Sequence, residues 1–252
     1  MAEKDPQATT SGFEQGIRNM LERAALFRTL GAAFAYPDFA SWHAVSEGLA
    51  RGAEVVEPSS QLGAALCAAV QAWRAVPPPE QGKVYARFFA TDARCPLHET
   101  AYGDGQRLAG KSAELADLQG FYQAFAVNVR DERADHLAVE LEFYSLLLIK
   151  EAWARSENWQ EQAAVTRSAA RQFLRDHLAR WLAALAGEME KQTVPSAYPD
   201  LLAAVVAAVA EEQKRLHVAV QPLSGRAGPD SMQADRFDCP HEASAEGRGR
   251  NF

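Results

Sequence analysis

Several things are scarce in this chain, and each scarcity removes a class of protein. Cysteine is one: Cys67, Cys95 and Cys239 are the only three in 252 residues. They are too few and too scattered for a disulfide framework, so a reducing compartment is expected. Long apolar runs are also missing. The strongest, Phe143 to Ile149, is far too short to span a bilayer, so no integral membrane protein is expected. The first residues, MAEKDPQATTSGFEQG, are polar and hold neither an apolar signal core nor a twin-arginine pair. A soluble protein of the cytoplasm is the expectation. Basic charge is in deficit, with 26 Lys and Arg against 33 Asp and Glu and a formal net charge of −7. Phosphate binding needs a basic surface, so nucleic acid is not expected as the main partner. A basic peptide fits the charge balance. Strand alternation, hairpin dipeptides, solenoid repeats, phosphate-binding glycine loops and the Gly-x-Ser-x-Gly elbow are all absent.

What remains is helix. The composition, 48% hydrophobic and 23% charged, is that of an ordinary globular protein. Met20, Ala24, Phe27, Gly31 and Phe34 form one face of a first helix, expected to begin at Phe13 and to stop at Tyr36-Pro37. Leu62, Leu66, Val70 and Trp73 mark another, after a cap at Ser59-Ser60. Pro77-Pro78-Pro79-Glu80 opens a helix carrying Val84, Tyr85, Phe88 and Phe89. Leu115, Leu118, Tyr122 and Phe125 follow at helical spacing, with Gly120 read as a point of close backbone approach. Phe173, Leu174, Leu178, Trp181, Leu182 and Leu185 mark a later helix, and an alanine-rich one runs from about Asp200 to His217. The expectation is an all-α, single-domain multi-helix bundle of about 8–10 helices, with boundaries good to a few residues. Residues 1–12 are expected as a flexible tail, 13–219 as the helical domain and 220–252 as a disordered tail.

The stretch from Asp131 to Glu151 organises the rest. Leu137, Leu141, Tyr144 and Leu148 recur at the helix period, and Phe143, Leu146, Leu147 and Ile149 fill other faces. A helix apolar on most sides belongs in the middle of its domain. Its front end packs Asp131, Glu132, Arg133, Asp135 and His136 together. If this segment is helical, Glu132 and Glu140 stand one turn either side of His136 and raise its pKa. Such a turn can bind a cationic peptide or serve as an acid–base pair. The plainer reading is a helix cap, with Asp131 or Asp135 as the capping residue. His177, between Phe173 and Trp181, reads as a structural histidine. Metal is not expected: Glu-x-x-His and His-Glu-x-x-His are absent, and Cys95-x-x-His98 with Cys239-Pro240-His241 is too irregular for zinc. No cofactor is expected.

A set of motifs in one order carries a family resemblance. Tyr85-Ala86-Arg87-Phe88-Phe89 is similar to the aromatic-x-x-Leu-Phe motif of the TorD/DmsD/NarJ-type redox-enzyme maturation chaperones, with Phe88 in the place of Leu. Glu132-Arg133-Ala134-Asp135-His136 matches their Glu-x-x-Asp-His motif at every fixed position. Cys95-Pro96-Leu97-His98-Glu99-Thr100 resembles the family's loop of proline and acid followed by a hydroxyl residue. Asp117-Leu118-Gln119-Gly120-Phe121-Tyr122 and Phe173-Leu174-Arg175-Asp176-His177-Leu178 with Trp181 resemble two further segments. The resemblance covers about residues 15 to 215.

It implies an all-α bundle that is not an enzyme. Its partner would be the catalytic subunit of a molybdopterin oxidoreductase, bound through a twin-arginine signal peptide or as the apoprotein until cofactor insertion. The loop Cys95–Thr100 points to the branch serving ethylbenzene dehydrogenase, dimethylsulfide dehydrogenase and chlorate or selenate reductases. The implied partner-binding residues are Glu132, Asp135, His136, Tyr85, Phe88, Phe89, Pro96 and Glu99, in a monomer or homodimer. Two rivals are a small helical hydrolase or nucleotide-binding protein using Asp135 and His136, and a purely structural assembly subunit.

Overall fold

A computed structural model of the chain describes residues 6–90, 94–103, 108–130, 132–192 and 196–225. Its elements are α1 (Pro6–Phe34), α2 (Phe39–Val55), α3 (Gln61–Ala75), α4 (Pro78–Phe89), a 3₁₀ turn (Glu99–Ala101), α5 (Leu108–Ala124), α6 (Leu137–Ser156), α7 (Gln160–Phe173), a π-helical turn (Leu174–Leu178), α8 (Ala179–Glu190) and α9 (Tyr198–Leu216). Among the described residues no strand forms, and the all-α expectation holds. No described helix is long and apolar enough to cross a membrane.

Local chemistry sets most of the boundaries. Asp38 caps α2 through the Ser41 N–H while the Ser41 hydroxyl accepts from the Asp38 N–H, a reciprocal capping box. Ser60 caps α3 by accepting from the Gly63 N–H. Pro78 takes the first position of α4, where a missing N–H costs nothing. His217 ends α9 in the left-handed region.

α6 lies at the centre, packed chiefly between α1 and α7. Leu137, Leu141, Tyr144 and Leu148 are all buried, as their spacing requires. α1 comes close because Gly31 offers no side chain: a Cβ there would meet the Ala138 carbonyl oxygen at 3.0 Å and the Leu141 Cβ at 3.3 Å. The Ser145 hydroxyl donates to the Ala24 carbonyl across the same seam at 2.7 Å, and Phe27 meets Tyr144 edge to face.

Three local expectations are corrected. α1 begins at Pro6, ahead of Phe13. Gly120 has nothing within 4 Å of its missing Cβ, so no backbone approaches it. The helix expected through Phe173 and Leu185 runs on but widens into a π turn at Leu174–Leu178, which holds the buried His177. Residues 226–252, with Cys239 and His241, lie outside the described residues, as do residues 1–5 and Asp131.

Candidate functional site

The expected acidic helical turn is not helical. α6 starts at Leu137, and residues 132–136 approach it through a turn closed by the His136 N–H donating to the Arg133 carbonyl at 3.1 Å. Glu132 and His136 are therefore not neighbours on a helix face. The segment pairs instead with the loop that carries Cys95 to Thr100. His98 and His136 form an isolated antiparallel bridge, the Glu99 N–H donates to the Asp135 carbonyl at 2.9 Å, and the Leu137 N–H donates to the Leu97 carbonyl at 2.9 Å. Tyr122 on α5 adds a third tie, its hydroxyl donating to the Ala134 carbonyl at 2.7 Å.

Asp135 is the hub, and it is fully buried. Its Oδ2 accepts from the Thr100 hydroxyl at 2.7 Å, the Thr100 N–H at 3.3 Å and Arg133 Nη2 at 3.0 Å. Its Oδ1 accepts from Arg133 Nε at 3.0 Å, and His98 Nδ1 stands 3.6 Å away, an electrostatic contact rather than a hydrogen bond. Burial opposes the charge, but His98, Thr100 and Arg133 outweigh it and hold the carboxyl well below its usual range. Arg133 thus grips Asp135 with two arms of its guanidinium, the side-on geometry arginine favours with carboxylates.

His136 is the residue that caps α6, its Nδ1 accepting from the Ala138 N–H at 3.2 Å. Asp135 does not take that role, and Asp131 lies outside the described residues. An accepting Nδ1 needs an uncharged ring with its proton on Nε2, and burial pushes the His136 pKa down to about 4. Glu132 pulls the other way but does not prevail. The raised pKa expected from flanking acids is overturned, because desolvation outweighs an exposed carboxylate.

Glu99 faces the core. Its Oε2 meets His177 Nδ1 at 3.0 Å, and Nε2 of the same ring meets Asp117 Oδ2 at 3.1 Å. Phe121 and Phe173 flank that imidazole. Burial disfavours the His177 charge, yet Glu99 and Asp117 raise its pKa. Glu140 lies close by and accepts from Trp181 Nε1 at 3.2 Å; burial, then the Glu99 charge, raise its pKa well above normal. Pro96 is buried, and its carbonyl accepts from the Tyr102 hydroxyl at 2.8 Å.

The aromatic motif lies beside this hub. Tyr85 is pushed up to about 12 by burial and then by the charge of Glu132, an exposed residue whose charge also acts on His136. Phe88 is buried, while Phe89 is partly exposed and meets Tyr85 and Tyr198 edge to face. Tyr36 covers Tyr85 from outside and is itself 67% exposed. After α9 the chain returns to the loop: the Leu223 N–H donates to the Arg180 carbonyl at 2.8 Å and the Gly103 N–H to the Ser224 carbonyl at 3.2 Å. Gly103 has φ of +61°, and a Cβ there would meet Leu223 at 3.0 Å.

The structure therefore brings Glu132, Asp135, His136, Glu99 and Pro96 into one junction, with Tyr85, Phe88 and Phe89 alongside. Only Glu132 among the acids faces solvent. Sequence reasoning passed over Thr100, His98, Arg133 and Tyr36. Thr100 and His98 sit in a motif already singled out, and Arg133 lies inside Glu-x-x-Asp-His, so a signal was there to use. Among the described residues no cluster of three metal-capable side chains forms.

Comparison with known proteins now decides the family. The family model described as nitrate reductase delta subunit matches residues 53–187, a span that holds every residue of this junction. The chain belongs to that family, the NarJ/TorD-type chaperones. Over 83 residues it is 39% identical to the chlorate reductase assembly chaperone protein of Ideonella dechloratans, covering 32% of this chain and 42% of the relative. The chain thus matches about two-fifths of that relative's length. The resemblance read from the motifs holds at the level of the family.

Proposed function

We propose that this protein is a cytoplasmic, system-specific chaperone that binds the catalytic subunit of a molybdopterin oxidoreductase before export. It binds the twin-arginine signal peptide, the apoprotein or both, and assists folding, cofactor insertion and assembly. The observation that carries the reading is the family match across residues 53–187, which encloses the junction. The relative's role as a chlorate reductase assembly chaperone favours a client of that reductase branch.

The geometry supports a recognition step by exchange. Asp135 already holds a guanidinium, that of Arg133, whose side chain is 52% exposed. An incoming client arginine takes the same carboxylate by displacing Arg133, with Glu132 beside it as a second, exposed acid. Exchange keeps the buried carboxylate paired throughout, which avoids the cost of an unpaired buried charge. The apolar residues after a twin-arginine pair then lie toward Tyr36, Tyr85 and Phe89, with Phe88 packed behind them. Pro96 and Glu99 act by holding the loop that presents Thr100. A binding role also fits the state of His136: its Nδ1 is engaged in the cap and both Asp135 oxygens are occupied, which leaves a poor acid–base pair.

Co-purification tests the reading. Tagged wild type and Asp135→Asn, both checked for fold by circular dichroism, are expressed in the native background and the bound proteins identified. Wild type should retain a molybdoenzyme catalytic subunit and Asp135→Asn should lose it. If wild type retains none while such an enzyme is being made, the chaperone reading fails.

A further inference from the structure

About 21 Å along α6 from the junction, counted from Leu137 to Glu151, the charge balance inverts. A groove of about 400 Å³ opens there between the front half of α1 and the helices α6, α7 and α9. Its ionisable residues are Arg23, Arg155, Arg167 and Arg215 against Glu151 and Glu212, four guanidiniums for two carboxylates. Both glutamates are buried. Glu151 Oε1 accepts from Arg155 Nε at 3.0 Å and Nη2 at 2.7 Å, with Arg167 Nη1 at 3.7 Å. Glu212 Oε1 meets Arg23 Nη1 at 3.2 Å and Arg215 Nε at 3.5 Å, while its Oε2 accepts from the Tyr144 hydroxyl at 3.1 Å. Both carboxylates are thus engaged, and Arg23 Nε is buried with no acceptor among the described residues. In a chain whose net charge is −7, two positive charges in excess at one groove mark a surface for an anion.

The α1 wall narrows the kind of anion. Gly12, Gly16, Met20 and Arg23 fall at helical spacing, so the groove follows one face of α1 for about 17 Å. Gly12 and Gly16 have nothing within 4 Å of their missing Cβ atoms, which leaves room for another backbone to come close. Beside them Phe13 is 42% exposed and Ile17 is partly exposed. A free phosphate or another small anion fits the guanidiniums but leaves Phe13 and the two glycines uncovered. A peptide segment that carries carboxylates among apolar residues covers both. Arginine is also the side chain that pairs side-on with carboxylates. The neighbouring cavity shares Arg23, Glu212 and Arg215 but adds Glu22, Glu57 and Glu211, so the basic excess is confined to the groove that Gly12 and Gly16 line.

We propose that this groove is a second client-binding surface, which takes an acidic, partly apolar segment of the catalytic subunit while the acidic junction takes a basic one. The inference rests on the chaperone reading for the identity of the client. A client carboxylate enters as an added partner of Arg167, Arg215 and Arg23 Nε, and the pairs with Glu151 and Glu212 stay in place. The apolar residues of the segment lie on Phe13 and Ile17.

Site-specific photo-crosslinking in the full chain tests it. The photoreactive residue p-benzoylphenylalanine replaces Phe13 or, separately, Tyr36 beside the junction, and each protein is expressed in its native background while the client enzyme is being made. Adducts are mapped by mass spectrometry. Position 13 should label a segment of the catalytic subunit rich in Asp and Glu, different from the segment labelled from position 36. Arg167→Gln combined with Arg215→Gln should cut the adduct at position 13 about fivefold or more and leave that at position 36 within about twofold. Both arginines are on the surface, and Arg155 and Arg23 still pair the two glutamates, so the fold should be retained. Circular dichroism checks it, and either single substitution serves if the pair does not fold. Adducts at position 36 with none at position 13 overturn the groove and spare the chaperone reading. So does an adduct at position 13 that maps to a segment without acids, or one indifferent to the substitutions. No adduct at either position overturns both.

Discussion

The two sides of α6 contrast in how their groups are used. At its N-terminal end the charged groups are engaged within the fold: Asp135 is held by Thr100 and Arg133, His136 by the Ala138 N–H, and Glu99 by His177. Along its outward flank the large side chains of Ile149 and Trp153 stand open. The polar end is charged in sequence but closed in structure, and the apolar flank is the reverse. The recognition step proposed for the closed end accordingly begins with exchange of an existing partner of Asp135, the Arg133 guanidinium.

The contrast can be broken first at Asp135. Asp135→Ala strands Arg133 and Thr100 and unfastens the loop from α6, and should lower stability by about 3 kcal/mol in chemical denaturation. His136→Asn retains a capping side chain but removes a titration. The folded pKa of His136 lies below its unfolded value of about 6.5. Its contribution to stability is thus present above that pH and lost as pH falls toward about 4. Wild type should lose stability relative to His136→Asn across that window, by up to about 1.4 kcal/mol per pH unit. Equal pH dependence in the two proteins would mean that the ring is not held neutral. Gly103→Ala forces a side chain into a left-handed backbone and onto Leu223, at a cost of about 1–2 kcal/mol in the thermal or denaturant midpoint. On the open flank, Trp153→Ala should change stability by less than about 0.5 kcal/mol, since the ring is 57% exposed. A large loss of stability there would erase the distinction between the two sides.

Much of the fold was legible because helix period and core coincide. Leu62, Leu66 and Trp73, and the four periodic residues of α6, are buried where their spacing puts them. The junction was legible only in membership. Asp135 and Thr100 are 35 residues apart, and the bond that joins them is tertiary. Read locally, Asp135 looks like a cap and residues 132–136 like a first helical turn. The loop outbids the helix for that backbone, and the cap passes to His136. The charge state of His136 was hidden for a related reason, since burial cannot be seen in a string of acids. The π turn at Leu174–Leu178 leaves no mark in the apolar spacing, although the four-residue steps Phe173, His177 and Trp181 already put the histidine on the buried face. The outward flank reads as core, because a helix apolar all round gives no sign of which face lacks a neighbour.

The exchange of Arg133 for a client arginine is the central claim, and a binding titration tests it most directly. A synthetic twin-arginine signal peptide is titrated into wild type, Arg133→Ala and Asp135→Asn, each shown to be folded. The account predicts that Arg133→Ala binds at least as tightly as wild type, since the internal competitor is gone, and that Asp135→Asn binds far more weakly. If Arg133→Ala loses binding as fully as Asp135→Asn, or if all three bind alike, Arg133 is not holding the client's place and the claim is wrong.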